Sequence, residues 1–208
     1  NDDSNTLVGS GCNTNNDENT MLGRNCGGTA TAVGNVYLGF EAGNSSSSTK
    51  SVYIGYQAGK AASTSNRLMI ENSSDKTTPL IYGEFDNNIV TINGNLDATG
   101  QIYSAIQSQV AATGATETID WNAGNMADII IDENCTLAFS NAKAGAVYNL
   151  VVTQEAAGGS NTLTWPAGAK WPGGTVVAPA TGVNEVTVYR IVAHTATSFM
   201  VTGEVNFS

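Results

Sequence analysis

Val36-Tyr37-Leu38-Gly39-Phe40-Glu41-Ala42-Gly43 returns sixteen residues later as Val52-Tyr53-Ile54-Gly55-Tyr56-Gln57-Ala58-Gly59. Two earlier stretches keep the same outline: Thr6-Leu7-Val8-Gly9-Ser10-Gly11-Cys12 and Thr20-Met21-Leu22-Gly23-Arg24-Asn25-Cys26. The aligned glycines stand at 9, 23, 39 and 55, in steps of 14, 16 and 16. One step further, Leu68-Met69-Ile70-Glu71 keeps the apolar triplet and replaces the glycine with Glu. Terminal repeats of an array are atypical in this way.

A repeat of this length cannot hold a core alone, so its natural arrangement is a coil in which each copy lies one rung above the last. We expect each rung to hold a short strand, a turn and a second short strand, with the apolar residue before each glycine facing inward. Gly9, Gly23, Gly39 and Gly55 then make the corners, where a residue free of Cβ is needed. Three residues beyond each corner stand Cys12, Cys26, Ala42 and Ala58. They are always small, which marks a crowded interior position. Polar runs such as Asn44-Ser45-Ser46-Ser47-Ser48 read as outward turns. Each rung carries little apolar surface, so the sequence predicts a core completed by association into a homotrimer.

The block x-Ile/Leu-Gly-x-x-Ala-Gly resembles the head repeats of trimeric autotransporter adhesins, a β-roll shared by three chains. It resembles more closely the repeats of bacteriophage tail-fibre and tail-associated proteins, in which an aromatic residue commonly follows the glycine, as Phe40 and Tyr56 do here. The resemblance covers roughly residues 5–72. It implies a β-roll shared by three chains in a fibre protein.

Downstream, Leu80-Ile81-Tyr82-Gly83-Glu84-Phe85 and Ile89-Val90-Thr91-Ile92-Asn93-Gly94 flank Asp86-Asn87-Asn88 and read as a hairpin. Similar segments follow such repeats in phage fibre proteins. Residues 101–111 fit one face of a helix through Ile102, Ala105, Ile106 and Val110, and fit a strand equally well. From about residue 112 the apolar period becomes two: Cys135, Leu137 and Phe139, then Tyr148, Leu150 and Val152, then Leu163 and Trp165. Two long strands surround His194-Thr195-Ala196-Thr197. Several strands punctuated by turns predict a β-sandwich. Asp120-Trp121-Asn122, Cys135-Thr136-Leu137-Ala138-Phe139-Ser140, Trp165-Pro166 and Lys170-Trp171-Pro172-Gly173-Gly174 resemble a β-domain found at the ends of phage tail and fibre proteins. That match covers about residues 105–208 and implies a structural role in a virion. The expected architecture is therefore all-β: a repeat β-roll over 1–72, a hairpin and connector over 73–111, and a C-terminal β-sandwich over 112–208.

Composition narrows the chemistry. Only 12% of the residues are charged and the formal net charge is −10. An acidic chain with eight Lys plus Arg has no electrostatic footprint for nucleic acid. It also lacks the basic patch that holds proteins on anionic membranes, and no apolar run is long enough to span a bilayer. The single histidine, His194, falls in a turn with no motif that pairs it with a nucleophile. One histidine and three distant cysteines give no zinc spacing. No enzyme, cofactor or metal is expected. Cys12 and Cys26 occupy equivalent repeat positions, so adjacent rungs would place them about 4.8 Å apart, within disulfide reach. They read either as a bridge or as small buried thiols standing in for alanine. Cys135 shares the inward register of Leu137 and reads as a buried free thiol. Of the three tryptophans, Trp165 alternates with a core residue. Trp171, beside Lys170 in a loop, is the one positioned for a surface ligand. The expected setting is a phage tail fibre or the surface of an extracellular particle. The expected partners are two further copies, other tail or particle proteins, and a host-surface glycan or protein. A collar or baseplate decoration and a cellular trimeric adhesin are the alternatives.

Overall fold

The structure, a computed structural model, describes residues 4–12, 18–29, 31–112, 116–156 and 159–207. It is all-β, and its contacts divide the chain into two units, residues 1–99 and 100–208.

In the first unit the repeats form a coil. β1 (Thr6–Val8), β2 (Thr20–Leu22), β3 (Val36–Leu38), β4 (Val52–Ile54) and β5 (Arg67–Ile70) pair in parallel, each with the next. β6 (Ile81–Glu84) and β7 (Ile89–Ile92) continue the same sheet antiparallel, so the hairpin read from sequence extends the coil's own sheet. The register aligns the repeats as the sequence does, with Met21, Tyr37, Tyr53 and Met69 stacked in one row.

Which residue faces inward differs from expectation. The middle residue of each triplet is the buried one: Met21, Tyr37, Tyr53 and Met69 are at most 3% exposed. The residue before each glycine faces out, with Val8 54%, Leu22 49% and Leu38 41% exposed. In a strand of three residues the two ends share a face and the centre takes the other. The apolar residues at both ends of the triplet concealed this. Among the described residues no rung has the expected second strand. The return path is a series of turns with positive φ at Glu41, Gly43, Ser45, Gln57 and Gly59, tied rung to rung by an isolated bridge between Gly28 and Ser46 and by backbone bonds such as those from the Gly43 amide to Ala58 and from the Ser47 amide to Ala62. Serine and glycine there favour turns over pleated backbone.

The coil closes a core within one chain, contrary to the expectation that a rung is too poor in apolar surface to do so. Tyr37 and Tyr53 stack at 5.4 Å between centroids, and Ala42, Ala58 and Cys26 pack against them at 0–1% exposure. All four corner glycines have positive φ. A Cβ on Gly39 would land on the carbonyl oxygen of Gly55 in the next rung, so the corners stack backbone on backbone. Ala58 has no room for growth, and Ala58→Leu should cost about 1–3 kcal/mol. We expect a fall in Tm of roughly 5–20 °C for a unit of this size. A melt followed by circular dichroism that coincides with the parent's would contradict the packing.

The second unit has a six-stranded and a three-stranded sheet. β8 (Ile106–Ala112), β10 (Met126–Ile131) and β12 (Val147–Gln154) are parallel neighbours in the first, so the segment that fitted helix or strand is a strand. β9 (Thr116–Asp120), β11 (Cys135–Ser140) and β13 (Leu163–Thr164) are parallel neighbours in the second. The chain alternates between the sheets, one strand to each per turn. β14 (Ala169–Lys170), β15 (Val186–Thr195) and β16 (Ser198–Phe207) complete the larger sheet, with β15 antiparallel to both β12 and β16. One core holds Ile119 and Leu137 from the small sheet and Ile129, Leu150, Ile191 and Val201 from the large one. Two sheets facing one core is what a sandwich requires, while the parallel pairing is what a coil produces. Alternating apolar residues fix the faces of a strand but not its partner's direction.

Candidate functional site

The outer face of the larger sheet in the second unit carries the arrangement best suited to a ligand. Tyr189, Ile191 and Ala193 of β15 point into the core, which turns Arg190 and Val192 outward. On β16, Phe199 and Val201 are buried, and Met200 and Thr202 face out. The pairing sets Lys170 opposite Met200 and Met200 opposite Val192, with Thr202 opposite Arg190 in the neighbouring row. The result is a groove of about 480 Å³ with an apolar floor of Val192 and Met200 and a cation at either side. Trp171 and Pro172 form its wall.

The wall is fixed from behind. Trp171 meets Trp165 edge-on at 5.0 Å and Tyr189 edge-on at 6.0 Å between centroids. Edge-to-face contacts of this kind each contribute about 0.5–1.5 kcal/mol beyond area burial. Trp165 itself packs edge-on against Phe139 and Tyr189 and belongs to the core's margin. A second hollow of about 600 Å³ shares Lys170 and Trp171 with the groove and is lined further by Leu163, Trp165, Pro166 and Val176. Trp171 and Lys170, singled out from sequence, are thus brought together with Arg190, which sequence reasoning missed. The register across β14, β16 and β15 creates that neighbourhood, and no local motif announces it.

The titratable groups are otherwise dispersed. His194 is exposed at the end of β15. Among the described residues no group of three or more His, Cys, Asp or Glu side chains is placed to share a metal ion. No described helix is long and apolar enough to cross a membrane. Cys135 is a buried free thiol, and burial pushes its pKa up to about 11, with Glu117, Glu133 and Asp132 adding to the rise. It should resist iodoacetamide at pH 8 while the chain is folded, and react fully in denaturant. Peptide mass mapping of both samples checks this, and rapid labelling of the folded chain would contradict it.

Cys12 and Cys26, the small interior positions of the first two rungs, lie side by side, with Sγ atoms 2.7 Å apart. Cys26 is buried and its pKa is pushed up to about 12, by burial first and by Cys12 beside it. Asn19 and Asn35 form a feature that the sequence reading missed. Asn35 Nδ2 donates to Asn19 Oδ1 and to the Ser48 carbonyl, and Asn35 Oδ1 accepts from the Ser51 amide. Asn19 Oδ1 also accepts from the Asn35 amide, and Asn5 Oδ1 accepts from the Asn19 amide. These side chains climb the coil one rung at a time and bridge groups the strands leave unpaired.

With this geometry in view, comparison with known proteins adds no relative: no protein-family model, curated protein or solved structure matches the chain.

Proposed function

We propose that this chain is a homotrimeric, non-enzymatic fibre component of a bacteriophage or phage-like particle, and that it attaches the particle to a host surface. The observation that carries the reading is the outer face of the first sheet. The paired positions Val8, Leu22, Leu38, Ile54, Ile70, Ile81 and Ile92 form one unbroken aliphatic row across seven strands. At about 4.8 Å per strand the row runs for roughly 29 Å. Leu22 and Leu38 are still 49% and 41% exposed, and Ile92 39%. Beside it, β7 shows all four of its side chains to solvent. A continuous apolar face of this kind marks an association surface. Three copies of one narrow row around a common axis bury all three at once, and the repeat motif resembles proteins that associate in this way.

The same motif, and the C-terminal motif beside it, support the virion setting. Attachment is favoured over a collar or baseplate role by the preformed groove at Trp171. Trimerisation would present three grooves, and linked weak sites gain avidity through effective concentration. The test is immunogold electron microscopy with antibodies raised against the chain, applied to a lysed culture of cells carrying the gene. Label at the tips of particle appendages supports the reading. Label at a collar or baseplate would favour the structural role, and label on the cell envelope would favour a cellular adhesin.

A further inference from the structure

We propose that the groove between Lys170, Trp171 and Arg190 binds a carboxylate-bearing sugar. This rests on the attachment reading and names the ligand class for it. Residues 100–208 hold three basic side chains, Lys143, Lys170 and Arg190. Two of the three converge on this one groove, and none of the unit's carboxylates lines it. The concentration of positive charge runs against the acidity of the whole chain. Neither cation is engaged in an ion pair, since the salt bridges among the described residues are Lys60–Glu41 and Arg67–Asp86.

Each wall matches one part of such a ligand. The apolar floor of Val192 and Met200, with the Trp171 side chain, suits the C–H face of a pyranose ring. The guanidinium of Arg190 offers paired donors to a carboxylate, and Lys170 offers a second positive charge across the groove. Thr202 supplies a hydroxyl for the ring's own hydroxyls. A volume of about 480 Å³ falls within the range of small-ligand sites, at the scale of one or two sugar rings.

The experiment is calorimetric titration of the full chain with hexagalacturonate and, separately, with neutral maltohexaose. Hexagalacturonate should bind, and the binding should weaken as sodium chloride is raised from about 20 to 300 mM. The double variant Lys170→Gln, Arg190→Gln should melt like the parent, because both side chains are exposed, and should bind at least about fivefold more weakly. Equal binding of the two oligosaccharides, unchanged affinity in the variant, or no binding of hexagalacturonate would each overturn the proposal. Adhesion of the chain to host cells separates this failure from that of the attachment reading. Adhesion that survives in the double variant would reject the groove and keep attachment, whereas a parent chain that does not adhere removes attachment itself.

In the first unit, a different observation concerns the two cysteines of the opening rungs. The structure assigns Cys12 and Cys26 as a disulfide-forming pair that staples rung one to rung two. Their corners are held in register by backbone bonds from the Gly23 amide to Val8 and from the Asn25 amide to Ser10. The sulfurs need to approach by only about 0.7 Å to reach bonding distance. Half-exposed Cys12 is the thiol that a small disulfide such as oxidised glutathione reaches first. Its thiolate displaces one glutathione and forms a mixed disulfide. The Cys26 sulfur then attacks the Cys12 sulfur, the second glutathione leaves as thiol, and both protein protons are lost. Non-reducing peptide mapping after incubation with oxidised glutathione should show a Cys12–Cys26 crosslink two hydrogens lighter than the reduced peptides, with Cys135 still alkylatable in denaturant. The oxidised chain should melt about 5–15 °C higher than the reduced one. A glutathione retained on Cys12, or all three thiols still free, would overturn the pairing.

Discussion

Asn35→Ala should destabilise the N-terminal coil by about 3–5 kcal/mol. The side chain is 1% exposed and makes three hydrogen bonds, to Asn19 Oδ1, the Ser48 carbonyl and the Ser51 amide. Alanine removes all three; Asn19 Oδ1 keeps the backbone amide of residue 35, but the Ser48 carbonyl and the Ser51 amide lose this partner inside the coil, and each such group costs about 1–3 kcal/mol. The effects overlap because the groups share one site, so the sum falls below the upper limit. At about 4–8 °C per kcal/mol for a unit of this size, Tm should drop by at least about 12 °C. Asn87→Ala, an exposed change in the β6–β7 turn, should leave Tm within about 3 °C, since surface substitutions rarely exceed 0.5 kcal/mol. Thermal melts of the two variants beside the parent decide the matter. Indistinguishable melts would show that the asparagine row does not hold the rungs.

A pair of charges on the aliphatic row should have a larger effect on association than any core change. Leu38→Glu with Ile54→Glu alters two neighbouring rungs of the outward row and touches none of the buried residues. Burying one such aliphatic side chain stabilises by about 1.5–3 kcal/mol. Losing two per chain weakens assembly by about a hundredfold or more, before repulsion among the clustered carboxylates is counted. Sedimentation velocity should show the variant as a monomer with the parent's circular dichroism spectrum. A variant that assembles like the parent would place the subunit contact elsewhere.

The sequence announced the coil because a repeat fixes register. Glycines at 9, 23, 39 and 55 can share one row only if successive copies stack, and they do. The facing of the triplet was not legible, because Val36-Tyr37-Leu38 is apolar at every position and a three-residue strand has no period to count. The asparagine row was visible in principle. Asn5, Asn19, Asn35 and Ser51 stand four residues before each corner glycine, at the same steps as the glycines themselves. Asparagine and serine are common in turns, so their spacing alone does not mark a buried row. In the second unit, alternation identified Cys135, Leu137, Tyr148 and Leu150 as inward-facing, and each is buried. Arg190 escaped notice because it lies 19 residues from Trp171 in sequence and reaches the groove only through two strand pairings.

The aliphatic row makes one demand that a single measurement can meet. Multi-angle light scattering of the purified chain at micromolar concentration should give about 64 kDa, three times the 21.4 kDa chain. A folded species of one chain's mass, or of two, would contradict the three-fold assembly on which the proposed fibre rests.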